Sequence, residues 1–88
     1  MTIHGIKITE AQIQACEKRM MWAEFHARNI DNCAQNNGVP RIHCYDFIAP
    51  RLADRLIHHH RILGNITYNT KTRLWSWVAA NQSKGSGM

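Results

Sequence analysis

The sequence contains few acidic residues and no long apolar run. Its 88 residues include six Asp and Glu against 11 Lys and Arg, which gives a formal net charge of +5 with neutral His. No apolar stretch approaches the roughly 18 residues that cross a membrane, and no basic segment leads into an apolar one at the N-terminus. We therefore expect a soluble, cytoplasmic protein that neither carries a signal peptide nor spans a membrane.

Cysteine pairs and catalytic motifs are also missing. The three cysteines, Cys16, Cys33 and Cys44, include no Cys-x-x-Cys pair, and an odd number does not build a secreted disulfide framework. We expect free, buried thiols; a zinc site that combines them with His43 is the weaker alternative. The sequence contains no glycine-rich phosphate-binding motif, and no pattern predicts a carboxylate that would orient a Cys–His pair. The sequence therefore predicts neither an enzyme nor a cofactor.

Positive charge is concentrated after Pro40. Residues 41–88 carry seven Lys and Arg against two Asp, whereas the two signs balance in residues 1–40. The histidines His43, His58, His59 and His60 add to this half below neutral pH. This asymmetry indicates an anionic partner, nucleic acid first and an acidic protein surface second. The alternative is a solvated basic face that only keeps the protein in solution.

Helical signals dominate the first part of the chain. We expect one small domain over residues 1–80, because 44% hydrophobic residues supply one core, and a flexible tail over residues 81–88. Thr9 and Gln12 form a capping box that starts a first helix. A second helix is predicted over residues 27–36. Residues 22–26 connect the two, with a strand of one or two residues and with Trp22 and Phe25 as structural anchors.

The third helix has the strongest pattern. Pro50 suits its first turn, although Asp46 is an alternative start, and Gly64 ends it. Its apolar side comprises Ala49, Leu52, Ala53, Leu56, His60 and Leu63, with His60 expected as a hydrogen-bonded core residue. Its opposite side comprises Arg51, Asp54, Arg55, His58 and Arg61. The arginines of this side either contact nucleic acid or form surface pairs with Asp54 and its neighbours.

An alternating pattern follows Gly64. Residues 66–68 and 73–78 are rich in β-branched and aromatic side chains and flank the polar turn 69–72, which predicts a β-hairpin. Trp75 and Trp77 share one face of its second strand. At least one of them is expected to pack on the core, and stacking on nucleic-acid bases is the alternative.

The predicted order is three helices followed by a β-hairpin, with the third helix leading through Gly64 directly into the hairpin. This order resembles the winged helix-turn-helix family, and the resemblance rests on residues 52–66 and the aromatic strand 74–78. The resemblance implies a mainly α, α+β fold, with a three-helix core followed by a C-terminal β-hairpin wing. It also implies that the third helix enters the major groove and that the wing contacts the DNA backbone or the minor groove. The predicted nucleic-acid-binding residues are Arg51, Arg55 and His58 of this helix, Lys71 and Arg73 of the wing, and Arg41. The segment 39–46 departs from the family, because it exceeds the three or four residues of a helix-turn-helix turn.

These observations predict a small regulator that binds double-stranded DNA as a monomer or homodimer, of the type carried by phages and mobile elements. The alternative is a protein-interaction module, such as a phage-encoded inhibitor or adaptor that binds a host nucleic-acid-processing protein. A contiguous exposed patch of Tyr68, Trp75 and Trp77 would favour this alternative.

Overall fold

The order of helices and short hairpins defines the fold. The computed structural model describes residues 1–78, so the tail predicted for residues 81–88 lies outside the described residues. In chain order the elements are β1 (Thr2–Ile3), β2 (Ile6–Lys7), α1 (Glu10–Trp22), α2 (Ala27–Asn36), β3 (Ile42–His43), β4 (Asp46–Phe47), α3 (Ala49–Leu63), β5 (Ile66–Asn69) and β6 (Leu74–Trp77). The strands pair in sequence as three antiparallel hairpins. This order confirms the predicted α+β class.

Side chains before the first two helices satisfy the backbone groups at their N-termini. The Thr9 hydroxyl accepts from the Gln12 backbone N–H at 3.1 Å, and the Gln12 side chain accepts from the Thr9 N–H at 2.9 Å. This geometry confirms the predicted capping box. The second helix has the predicted bounds, and the His26 imidazole accepts from the Arg28 backbone N–H at 3.2 Å.

The third helix begins at Ala49 and has Pro50 in its first turn. The alternative start at Asp46 is wrong, because Asp46 and Phe47 pair with β3. Gly64 ends the helix in a left-handed conformation with φ of 78°, as a glycine readily does. Residues 39–46, whose structure the sequence did not indicate, therefore contain most of a hairpin between α2 and α3.

The core lies between the three helices and the last hairpin. Leu52, Ala53, Leu56 and His60 are buried on α3 as predicted, and Ile57, which the projection missed, is also buried. Leu63 was expected in the core but is 58% exposed, although it lies on the same side of α3 as the buried Leu52 and Leu56; it is the last residue of the helix.

The two predicted anchors of the connection between α1 and α2 have different environments. Phe25 is fully buried, whereas Trp22 is 77% exposed, so the prediction that Trp22 is a structural anchor is wrong. Trp22 is the last residue of α1, and its ring lies 5.0 Å from the Arg19 guanidinium instead of in the core. Phe25 also forms a bridge with Trp75 of β6, which confirms the expected short strand in this connection.

The last hairpin pairs Ile66 with Trp77 and Tyr68 with Trp75. Its turn lies one residue later than the sequence indicated, because Asn69 is the last residue of β5 and Arg73 precedes β6. Arg73 is thus a turn residue and not a strand residue. Phe25 pairs with the opposite edge of β6, which places β6 between β5 and Phe25.

A hairpin–helix unit occurs twice, although the sequence shows no internal repeat. In the hairpins β1–β2 and β3–β4, the two strands flank two residues with positive φ. A buried isoleucine follows each of these hairpins, Ile8 the first and Ile48 the second. The N–H of this isoleucine donates a hydrogen bond of 2.8 Å that closes the hairpin, to the Met1 carbonyl in one case and to the Arg41 carbonyl in the other.

Within residues 1–78, no helix combines the length and the apolar content that crossing a membrane requires.

Candidate nucleic-acid interface

The outer side of α3 carries three of the six predicted nucleic-acid-binding residues. Arg51, Arg55 and His58 are all exposed, while Leu52, Leu56 and the residues that share their side are buried. Their spacing of four and three residues places them along one stripe of a helix with 3.6 residues per turn. The stripe thus offers two guanidinium groups and one imidazole to solvent, on a rigid element.

Among residues 1–78, no carboxylate lies within ion-pair distance of the two arginines of this stripe, although Asp54 lies between them in the sequence and on the same side of the helix. Within the described part of the chain, the ion pairs with Asp or Glu both involve histidine, His4 with Asp46 and His60 with Glu17. The surface pairs of Arg51 and Arg55 with Asp54, considered as an alternative from the sequence, are therefore not formed. The polar contact found for Arg55 is a long one of 3.5 Å to the Thr2 carbonyl.

Arg41 lies beside the start of the same helix. Its guanidinium carbon is 5.4 Å from the centre of the Phe47 ring, in a cation–π contact. Phe47 in turn lines a cleft of about 320 Å³ together with Pro50, Arg51 and Asp54. Phe47 thus contacts Arg41 and shares a cleft with Arg51.

Tyr45, at the tip of this hairpin, is a candidate that sequence reasoning missed. Its side chain is 100% exposed, and Cys44 beside it is exposed too. Both turn residues have positive φ, 49° for Cys44 and 70° for Tyr45, as a two-residue type I′ turn requires. Cys44-Tyr45 is not the Asn-Gly or Asp-Gly pair that usually marks such a turn, so the available signal was only the short apolar alternation around it.

Lys71 and Arg73 lie apart from the helix residues, in the turn between β5 and β6. Both are exposed. The Asn69 side chain accepts from the Lys71 and Thr72 backbone N–H groups at 2.9 and 3.3 Å, which fixes the turn. Arg73 has φ of 61° and donates its N–H to the Asn69 carbonyl at 2.7 Å. The six predicted residues therefore form two groups, Arg41 with the outer side of α3, and the hairpin turn.

The aromatic residues of the last hairpin do not form a wide exposed patch. Trp75 and Trp77 are half-buried and pack against the core, as expected for at least one of them. Tyr68 is 45% exposed, and its ring centre is 5.0 Å from that of Trp75. Tyr68 and Trp75 line a cleft of about 440 Å³ with Arg61, Ile66 and Thr67. The last hairpin by itself thus offers a protein partner only a limited apolar area.

His60 is a hydrogen-bonded core residue, as predicted. It is 5% exposed, and its Nε2 lies 2.9 Å from a Glu17 carboxylate oxygen. Its Nδ1 lies 2.9 Å from the Asn65 side-chain nitrogen. Through these two contacts His60 links α1 to the end of α3.

Among residues 1–78, no three His, Cys, Asp or Glu side chains are grouped closely enough to hold a metal ion.

The three thiols differ in exposure. Burial, with a smaller contribution from nearby Cys33, raises the pKa of the Cys16 thiol from 9.0 to about 12. Cys33 is half-buried, and its thiol lies 3.5 Å from the Ala15 carbonyl. Cys44 is exposed, which corrects the expectation that the thiols are buried, because it lies in a hairpin turn that the sequence did not indicate.

Comparison with known protein families, curated proteins and solved structures found no significant match to this chain.

Proposed function

We propose that this protein is a small winged-helix protein that binds double-stranded DNA, with α3 in the major groove and the β5–β6 hairpin as the wing. The observation that carries the proposal is the stripe of Arg51, Arg55 and His58, which faces solvent and forms no ion pair with a carboxylate of residues 1–78. Lys and Arg bind phosphates and release counterions, and Arg reads guanine edges through two hydrogen bonds.

The topology supports a winged-helix arrangement. Three helices precede a C-terminal hairpin, as the resemblance implies, and Phe25, between α1 and α2, bridges to Trp75 of β6 and so ties this hairpin to the helices. The hairpin β3–β4 replaces the tight turn that a helix-turn-helix has between its second and third helices.

The proposal is tested by fluorescence anisotropy with a labelled duplex of random sequence. For about four phosphate contacts, the affinity is expected to fall about 100-fold between about 50 and 200 mM salt. The double variant Arg51→Ala and Arg55→Ala should lower the affinity and reduce the slope of log affinity against log salt by up to about two.

A matched control removes two exposed charges from the neutral half of the chain. Lys18 and Arg28 are exposed on α1 and α2, and changing both to Ala lowers the net charge by the same amount. This control should retain most of the affinity. Equal losses of affinity in the two double variants would show that binding depends only on net charge and would contradict a role for the outer side of α3. An absence of duplex binding at low salt would refute the proposal.

A protein-interaction module is the second candidate. It is favoured by the exposed apolar side chains at the end of α3 and on β5, where Ile62 is 67%, Leu63 58% and Tyr68 45% exposed. Retention of a single protein partner that is lost on changing Leu63 and Tyr68 to Ser, without any duplex binding, would support this candidate over DNA.

A further inference from the structure

The hairpin β3–β4 is held firmly against the start of α3. The Ile48 N–H donates to the Arg41 carbonyl at 2.8 Å, and the Ala49 N–H donates to the Pro40 carbonyl at 3.0 Å. In addition, Asp46 of β4 lies 3.6 Å from the His4 imidazole of the N-terminal hairpin. These contacts set the direction in which the ribbon projects.

Folding does not account for the residue at the tip of this ribbon. Tyr45 has φ of 70°, a conformation that is costly for a bulky L-residue and that glycine adopts without strain. Its side chain is 100% exposed, so the ring gains no packing in return. A strained, fully exposed aromatic residue at a hairpin tip points to contact with another molecule.

The surroundings of the tip match the chemistry of a nucleic acid. Arg41 lies over the Phe47 ring, and Phe47 shares a cleft with Arg51 on the outer side of α3. Guanidinium groups bind phosphates, and aromatic rings pack on the sugars and bases between them. Phe47 of the ribbon and Arg51 of α3 therefore line one cleft, which Asp54 also lines.

We propose that the β3–β4 hairpin is a second DNA-contacting ribbon, in which Tyr45 packs on the sugar and base of a nucleotide beside the groove that takes α3, while Arg41 binds a neighbouring phosphate. This proposal rests on the DNA-binding function proposed above and adds a contact that the winged-helix resemblance does not supply.

The test uses Tyr45→Gly, which removes the ring and relieves the strain of the turn. Its affinity for duplex should fall about 10-fold, within the range seen when a stacked aromatic is removed. The salt slope should not change, because no cation is lost, and the thermal stability should equal or exceed that of the wild type. Tyr45→Phe, which keeps an aromatic ring at this position, should retain the affinity of the wild type.

Trp22→Ala is the matched control, since Trp22 is an exposed aromatic residue on α1 outside this hairpin. If the wild type binds duplex with a steep salt dependence and Tyr45→Gly binds equally well, the hairpin proposal is overturned while the DNA function stands. If the wild type binds no duplex, the proposed function fails and the hairpin proposal with it. Loss of a protein partner in Tyr45→Gly, with unchanged duplex binding, would reassign the hairpin to protein docking and overturn the proposal.

Discussion

Phe25 and Trp75 exchange two backbone hydrogen bonds, of 2.9 and 2.8 Å. The pair joins the connection between α1 and α2 to the middle of the last hairpin, 50 residues later in the chain. Because the Phe25 side chain is also fully buried, one residue anchors both the sheet and the core. The hairpin that carries Lys71 and Arg73 is therefore held in place from its inner edge.

Phe25→Ala should destabilise the protein strongly. Removing a fully buried Phe costs about 3–5 kcal/mol, a large share of the stability of a domain of this size. Trp22→Ala, a larger truncation only three residues away, should change the free energy of unfolding by about 0.5 kcal/mol or less, because the ring is exposed. Urea unfolding followed by far-UV circular dichroism measures both, and equal effects would contradict the assigned burial.

Glu17→Ala should destabilise the fold through His60. The change leaves the buried Nε2 of His60 without its partner at 2.9 Å, which costs about 1–3 kcal/mol. Gln14→Ala, at an exposed position of the same helix, is the control and should be nearly neutral. Thermal unfolding of both variants is the measurement. A Glu17→Ala protein as stable as the control would show that this hydrogen bond contributes nothing to the fold.

The elements with local signals could be predicted from the sequence. The capping box of Thr9 and Gln12, the bounds of α2 and the end of α3 at Gly64 all depend on residues within a few positions of one another. The exposed side of α3 followed from helical periodicity in the same way, because a helix that packs on one side exposes the other.

The remaining features depend on contacts between distant parts of the chain. Trp22 and Phe25 are both large and apolar, and only the pairing with Trp75 decides which of them is buried. The periodicity of α3 does not contain the exposure of Leu63, since Leu63 lies on the same side of the helix as the buried Leu52 and Leu56. Tyr45 was missed because its turn contains neither glycine nor asparagine, the residues that make such turns recognisable.

Arg73→Gly should stabilise the last hairpin while removing a predicted DNA contact. Arg73 has φ of 61°, which glycine adopts more easily than arginine. After the greater freedom of glycine in the unfolded chain is subtracted, we expect a net gain of about 0.5 kcal/mol. Thr72→Gly, in the same turn without a positive φ, should instead destabilise. Chemical unfolding measures the free energy of unfolding of both variants. A loss of stability in Arg73→Gly would show that the positive φ of Arg73 does not cost folding free energy.

Cys16 should make the stability depend on alkaline pH. The unfolded thiol ionises near its ordinary pKa of 9.0, whereas burial raises the pKa in the folded protein to about 12. Because the folded pKa is the higher one, the contribution of this thiol is complete below pH 9 and is lost as the pH rises toward 12. Cys16→Ala removes this dependence and costs some packing, so the wild type should be the more stable protein at pH 7, with an advantage that shrinks as the pH rises above 9. Urea unfolding at several pH values between 7 and 11 measures these differences, and parallel profiles for the wild type and Cys16→Ala would show that the buried thiol does not couple folding to pH.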